Sequence, residues 1–347
     1  MTARLTWPVY LRYWLVGIVA TAAVAYLCVH IGSDANGFSF GWPSSALLQF
    51  RLTRVACAAL VGAALAASGV LLQALLRNPL ADPYVLGIST GSSVFVLLWL
   101  IFGGALLAAV EHGSLPHWVA GLVTYGEMLP AIIGALITCV VVFGVARASS
   151  DGVLDPLALL LVGVVVSAFN GALIVLLNAI APHGVRANIM SFLIGYISDG
   201  TPPGVVLLAA LVLLVGWLPG LLAAPLMNIA SLSDVEAGSL GVRLSLLRTL
   251  LFVAASVMTA AAIALARSIA FVGLICPHVC RLLFGPDHRQ LIVTAPFCGA
   301  IFLMLADALV QILRSVFPGD LPVGVITALA GGPFFLVLLR KRQGGLE

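Results

Sequence analysis

The chain has 347 residues, of which 62% are hydrophobic and only 8% are charged, where a soluble domain carries roughly 25% charged residues. Its 16 Lys and Arg stand against 13 Asp and Glu, a net charge of +3. No water-soluble fold of this length hides so much apolar surface, so the solvent for most of the chain is lipid, and element lengths follow the bilayer at about 20 apolar residues per spanning helix.

Cutting the sequence at charges and Pro/Gly clusters predicts ten spanning helices: 13–31, 55–76, 85–110, 129–146, 157–180, 204–224, 246–266, 269–284, 291–313 and 322–339. The runs are long and continuously apolar, which argues for helices over the alternating strands of a barrel. The expected fold is an all-α integral membrane protein with ten transmembrane helices, a single transmembrane domain over 1–347. The first run has an Arg-containing flank, as a signal peptide would. Its core is long, however, and Val-His-Ile-Gly-Ser-Asp-Ala is a poor cleavage site, so a retained helix is expected.

Between the second and third runs lies RNPLADPYVLG, residues 77–87. Pro79 and Pro83 each remove a backbone donor and stop a helix, while Asn78 and Asp82 can satisfy the freed groups or cap the next helix. Irregular backbone at this depth is tolerated only where protein buries it or water lines it. After the fourth run, Ala148-Ser149-Ser150-Asp151 makes a second polar turn.

The stretch 227–248 after the sixth run is polar. It has a Ser and Glu helix start, with Asp234 and Glu236 early and Arg243 late, which suits the helix dipole at both ends. One or two short helices at the membrane surface are expected, as an ordinary connector or as a docking element for a cytoplasmic partner. Spans seven and eight are separated only by Ala266-Arg267-Ser268. In span nine Asp307 is the acid well inside an apolar run, suited to a helix-packing hydrogen bond or a pair with Arg314. The tenth span contains ALAGGPFF, 328–335, whose small residues allow helices to approach closely. Spans two and seven share an Arg followed by Ala-rich sequence, a faint sign of an inverted repeat.

With both termini cytoplasmic, Arg4, Arg12, Arg77, Arg147, Arg243, Arg248, Arg281, Arg289, Arg340, Lys341 and Arg342 fall inside. Arg51, Arg54, Arg186, Arg267 and Arg314 fall outside. The inside excess obeys the positive-inside rule, and the outer arginines need a reason. Arg51 and Arg54 lie three apart at the start of span two and share a helix face.

The six cysteines, Cys28, Cys57, Cys139, Cys276, Cys280 and Cys298, all fall in apolar runs and read as small buried hydrophobes. In Cys276-Pro277-His278-Val279-Cys280 the His points about 200° away from Cys276 on a helix, which argues against a metal or haem ligand set. Lys341 is the only lysine, and no Gly precedes it, so there is no Gly-Lys-Ser/Thr phosphate loop. HExxH is also absent. No catalytic residue, metal or cofactor is expected. What remains is a transporter or channel, an intramembrane enzyme, or a scaffold subunit. A secondary transporter usually keeps acids or broken helices at mid-membrane, and Asp307 alone is thin support for one.

RNPLADPYVLGISTG (77–91), SLGVRL (239–244), FVGLICPHVCRLLFGPDHR (271–289) and DLPVGVITALAGGPFFLVLLRKR (320–342) resemble the permease subunit of binding-protein-dependent ABC importers for cobalamin, iron-siderophores and haem. The resemblance runs from Arg51 to Arg342. It implies ten transmembrane helices per subunit, a homodimer in the bacterial inner membrane, two cytoplasmic ATPase subunits that bind the ATP, and a periplasmic substrate-binding protein. No nucleic acid is expected among the partners. By this resemblance Asn78, Pro79 and Leu80, with Ser149 and Ser150, flank the cytoplasmic gate. Residues 227–242 resemble the coupling helices that fit a cleft on the ATPase. There Ser233, Asp234, Glu236, Gly238 and Gly241 are the coupling residues, the glycines for close approach and the acids for basic groups on the partner. Arg51 and Arg54 match a family Arg-x-x-Arg that meets acidic residues of the binding protein. A further family Arg in span nine is Gln311 here, which leaves Arg314 one turn later in its role. Apolar pathway walls favour haem as the cargo, with ferric siderophore and cobalamin as alternatives; outer-loop His112, His117 and His183 could touch haem iron, but read first as solvated loop histidines. An ion-coupled secondary transporter is the alternative class.

Overall fold

The computed structural model describes residues 7–34, 37–112, 127–149, 155–182, 195–314, 316 and 321–343. Among these residues the fold is a bundle of α-helices with one small hairpin: α1 (Trp7–His30), β1 (Ile31–Asp34), β2 (Gly37–Phe40), α2 (Ser45–Leu75), a 3₁₀ turn (Pro83–Leu86), α3 (Ile88–Glu111), α4 (Met128–Ala148), α5 (Pro156–Ile180), α6 (Pro203–Ala230), α7 (Asp234–Ser239), α8 (Leu244–Ala266), α9 (Val272–Phe284), α10 (His288–Leu313) and α11 (Val323–Gln343). Each predicted span has a helix over it. Seven of the described helices are long and apolar enough to cross a membrane; the shorter apolar stretches are Ile88–Gly104, Val272–Phe284 and Val323–Leu338.

The structure differs from the sequence reading most tellingly at the start of span two, at the segment before it and at span eight. The helix over span two begins at Ser45, ten residues early, because Arg51 and Arg54 find partners inside the protein and need not end the helix at a lipid boundary. The segment before it is a hairpin, pairing Ile31 with Phe40 and Gly32 with Ser39. Arg51 stitches this hairpin to α2 by donating to Val29 O at 3.2 Å and Ser39 Oγ at 2.9 Å. The eighth predicted span is realised as α9, with 13 residues, about 20 Å of helix and short of the ~30 Å hydrocarbon core. Arg267 and Phe271 adopt left-handed backbone at φ 63° and 71°, which turns the chain sharply between α8 and α9.

The interior is built on α2. Of its spanning window 72% is buried, as for α8 (72%), with α10 at 67%, whereas α1 is only 11% buried. Helix α2 packs along both α10 and α8. Its small residues let it approach α10 and also α9 closely: a Cβ at Gly62 would stand 2.1 Å from Gly299 O on α10, and one at Gly69 would stand 2.0 Å from Gly273 O on α9. Backbone meets backbone at both crossings, the geometry that drives helix association where lipid removes the hydrophobic advantage. A buried hydroxyl pair, Ser68 with Thr259 at 2.8 Å, ties α2 to α8 between them.

Candidate functional site

Helix α2 has 31 residues, about 46 Å of rise, and it carries a polar junction near each end. Arg54 lies in its first turns, and Arg77 lies just past its last.

At the first junction Arg54 is 4% exposed. Its Nε donates to Asp307 Oδ2 and its Nη2 to Asp307 Oδ1, both at 2.8 Å. Its Nη1 binds Asp199, which Arg314 also approaches, at 3.7 Å. The Gln311 amide, turned with its oxygen toward Arg54, accepts from Nε at 2.6 Å. Tyr196 sits at the centre. Arg54, Arg267 and Arg314 approach its ring to 5.8, 5.9 and 5.8 Å from the centroid, within the range of cation–π attraction, and Arg314 donates to its hydroxyl at 3.0 Å. Arg267 lies 3.6 Å from Glu127. The backbone around Tyr196 is pinned as well: Tyr196 N donates to Ala266 O at 3.0 Å, and Gly324 N to Gly195 O at 3.4 Å. A cavity of about 180 Å³ opens beside the junction, lined by Arg51, Arg54, Asp199, Asp307, Gln311 and Arg314 among others.

At the second junction the short helix α7 begins with a complete capping box. Glu236 N donates to Ser233 Oγ at 3.2 Å, while Ser233 N donates back to the Glu236 carboxylate at 3.0 Å, satisfying two orphan donors reciprocally. Asp234, the first residue of α7, accepts from Arg248 Nη2 on both oxygens at 2.8 and 2.9 Å. It also meets Arg77 Nη2 at 2.5 Å. Burial raises the Asp234 carboxyl, but the hydrogen bonds and charges of Arg248 and Arg77 outweigh this and hold it below its ordinary value. Arg77 Nε donates to Ala230 O, the last residue of α6, at 2.8 Å.

Behind Arg77 runs the 78–86 turn. Leu80 N donates to Asn78 Oδ1 at 3.1 Å and Tyr84 N to Asp82 Oδ1 at 2.9 Å, so both side chains satisfy backbone freed by the prolines. Asp82 is buried, which pushes its carboxyl up, while the amides of Tyr84 and Phe271 pull it down. Buried Gln73 joins the turn to α9, donating to Gly273 O at 3.3 Å and accepting from Arg281 at 3.0 Å.

The sequence-predicted residues divide as follows. Arg51, Arg54 and Arg314 come together around the one cavity, with Arg54 turned inward onto Asp307. Of the two roles the sequence offered Asp307, the structure shows the helix-packing hydrogen bond, made with Arg54 across the bundle; Arg314 approaches Asp199. Ser233, Asp234, Glu236, Gly238 and Gly241 form α7 and its exit turn. Asp234 and Glu236 are both engaged within the chain, by the arginines and by the capping box. Arg243 stands at the position before α8, without a side-chain capping bond, and does not close α7. Asn78, Pro79 and Leu80 lie in the turn beside Arg77. Ser149 closes α4, its hydroxyl donating to Val145 O at 2.9 Å. Ser150, His117 and His183 fall outside the described residues, and His112 is exposed.

Sequence reasoning missed Asp199, Tyr196 and the role of Arg248. The signal for the first was charge balance: buried arginines at one end of a bundle call for acids at the same end, and Asp199, Asp307 and Glu127 supply them.

In and just after α7 two apolar side chains are exposed. Val235 is 83% and Leu240 62% exposed. A Cβ at Gly238 or Gly241 would meet nothing within 4 Å. Gly241 holds φ +82°, the left-handed region that glycine enters at no steric cost.

A model of the FecCD transport family matches residues 11–341 of the chain. The hemin transport system permease protein of Yersinia pestis is 35% identical over 85% of this chain and 84% of its own. The cobalamin import system permease protein of Halobacterium salinarum is 38% identical over 89% and 78%. The fold is similar to a solved structure reported as an inward-facing conformation of a metal-chelate type ABC transporter, with a TM-score of 0.79 and 28% identity over 96% of this chain and 99% of that one.

Proposed function

The chain belongs to the FecCD transport family, and from this premise we propose that it is the membrane permease of an ATP-driven importer of a metal chelate, with haem as the favoured cargo. The observation that carries the reading is the exposure of two apolar side chains, Val235 in α7 and Leu240 just past its end, about a short helix whose acids are already bonded inside the chain. A six-residue helix does not stand alone in water. One held so firmly, with its apolar side chains outward, is built to meet a protein surface. An ATPase partner fits, because the chain has no phosphate loop of its own.

In this reading the Asp234 end faces the cytoplasm and the Asp307 end faces outward, with both termini inside a bacterial inner membrane and two copies enclosing the pathway. Asn78, Pro79, Leu80, Ser149 and Ser150 flank the inner gate. Arg51 and Arg314 rim the outer cavity, where a binding protein's acidic side chains dock, and buried Arg54 sets the floor of that cavity. Haem is favoured over ferric siderophore and cobalamin because apolar pathway walls suit a bulky apolar chelate and one relative is a hemin permease. An ion-coupled secondary transporter draws no support from Asp307, whose two oxygens are both taken by Arg54.

The test is reconstitution in proteoliposomes with the partner ATPase and binding protein. Uptake should require ATP, and the chain alone should hydrolyse none; uptake driven by a proton gradient without ATP overturns the reading. A Soret band on the co-purified binding protein identifies haem as cargo, and its absence removes haem in favour of the other chelates.

A further inference from the structure

Arg77 is one of three non-glycine residues with positive φ among the described residues, at 46°. A side chain with a Cβ is disfavoured there, and such a conformation persists only where the surroundings over-determine it. At Arg77 they do. The guanidinium is aimed away from α2, so that Nε reaches the last carbonyl of α6 at Ala230 (2.8 Å) and Nη2 reaches Asp234 Oδ1 (2.5 Å). The residue that begins the 77–86 turn thereby grips the first residue of α7.

Asp234 is held from a second side, and the two grips are unlike. Arg248, on α8, is 6% exposed at its side chain and bonds both carboxylate oxygens through one nitrogen. Arg77 is 32% exposed and takes one oxygen. The first contact is anchored in the core. The second lies near water, where an ion pair is cheaper to break and re-form. A load on the exposed side chains of Val235, in α7, and Leu240, just past its end, would therefore turn α7 about the Arg248 contact and be felt at Arg77. From Arg77 the chain runs without a spacer into Asn78, whose amide donates to Gln73 O at 3.1 Å and whose side chain holds Leu80 N. Gln73 in turn bonds Ala81 O, Gly273 O and Arg281.

We infer that Arg77 is a positioning residue that couples α7 to the 77–86 turn through Asp234, with Arg248 as the pivot. The mechanical tie is a property of this chain alone; its use in transport rests on the reading of α7 as the ATPase docking helix.

The tie is tested first without any partner, by hydrogen exchange on the purified chain in lipid nanodiscs. Arg77→Gln and Asp234→Asn should each speed exchange at the amides of Asn78, Leu80 and Ala81 at least tenfold, leaving α8 and α10 unchanged. Arg77→Gln/Asp234→Asn should do no more than either alone, and Arg77→Lys, which keeps the charge, should fall between. Unchanged exchange at 78–81 in Arg77→Gln, or additive effects in the double variant, overturns the tie. The second experiment reconstitutes Arg77→Gln with ATPase and binding protein. ATPase co-purification should match the wild type, while substrate moved per ATP falls at least tenfold. Loss of co-purification, or an unchanged ratio, overturns the coupling role. A wild type that shows the exchange result but no ATPase-dependent uptake rejects the functional reading of α7 and leaves the tie standing.

Discussion

Arg54 and Asp307 form a two-pronged pair, both contacts at 2.8 Å, with each side chain 5% exposed. Between them they clamp α2 to α10, the helices whose glycines touch at Gly62 and Gly299. Removing one member of a buried pair strands the other charge and costs about 3–5 kcal/mol, whereas replacing both with apolar groups is often neutral. Arg54→Gln and Asp307→Asn should each lower the unfolding midpoint of the purified chain, and Arg54→Leu/Asp307→Leu should recover much of the loss. Additive losses in the double variant would mean that the two side chains act separately.

The Gly62–Gly299 crossing yields a second prediction. A methyl at Gly62 would stand 2.1 Å from a main-chain oxygen, and backbone cannot step aside as a side chain end can. Gly62→Ala should force the helices apart at a cost of about 1–3 kcal/mol or more and reduce the folded yield. Gly238→Ala, where a Cβ meets nothing within 4 Å, should leave the yield unchanged. Equal yields from the two variants would contradict the packing.

The helices were legible in the sequence because lipid leaves the backbone no alternative, and the position of α7 was legible because its cap is local, Ser233 to Glu236. The junctions were not. Arg54 and Asp307 are 253 positions apart, and nothing in either neighbourhood names the other. Arg54 read as an interfacial cation because sequence shows a charge at a span's start, not whether an acid waits across the bundle. The hairpin at 31–40 was hidden for a related reason: four-residue strands carry too few alternations to register against the long apolar runs beside them.

Gly241 separates backbone demand from surface demand. Its φ of +82° costs roughly 1–2 kcal/mol for a residue with a Cβ, and its surroundings are open. Gly241→Leu should therefore fold with a modest loss of stability but abolish assembly or coupling with the ATPase, read as co-purification and ATP-driven uptake. Normal transport by this variant would reduce the α7 region to a connector.

Asn78 and Ser149 carry the gate proposal. Asn78 lies in the turn gripped by Arg77, and Ser149 closes α4 at 2.9 Å from Val145 O. Cysteine at either position should crosslink across a dimer of two copies, with a yield that changes between nucleotide-free and ATP-bound complexes. A yield indifferent to nucleotide removes these residues from the gate, and no crosslink at all removes them from the dimer axis.

Arg51, Arg54 and Arg314 differ in what they can do for the proposed docking protein. Arg54 is spent on Asp307, so Arg54→Glu would place two acids together and test folding more than docking. Arg51 is the cleaner probe. It is half-buried, its contacts are a carbonyl and a hydroxyl at 3.2 and 2.9 Å, and it lines the cavity beside Arg314. Charges at a rim act mainly on the association rate, and salt screens them over about 10 Å at 0.1 M. Arg51→Glu should slow binding-protein association roughly tenfold or more at low ionic strength, with little effect on dissociation, and the difference should shrink as salt rises. Arg314→Glu should act in the same direction, with an added loss of stability because Arg314 also holds Tyr196 and Asp199. An Arg51→Glu on-rate equal to the wild type at low salt would leave the arginine only its structural work of fastening the hairpin to α2.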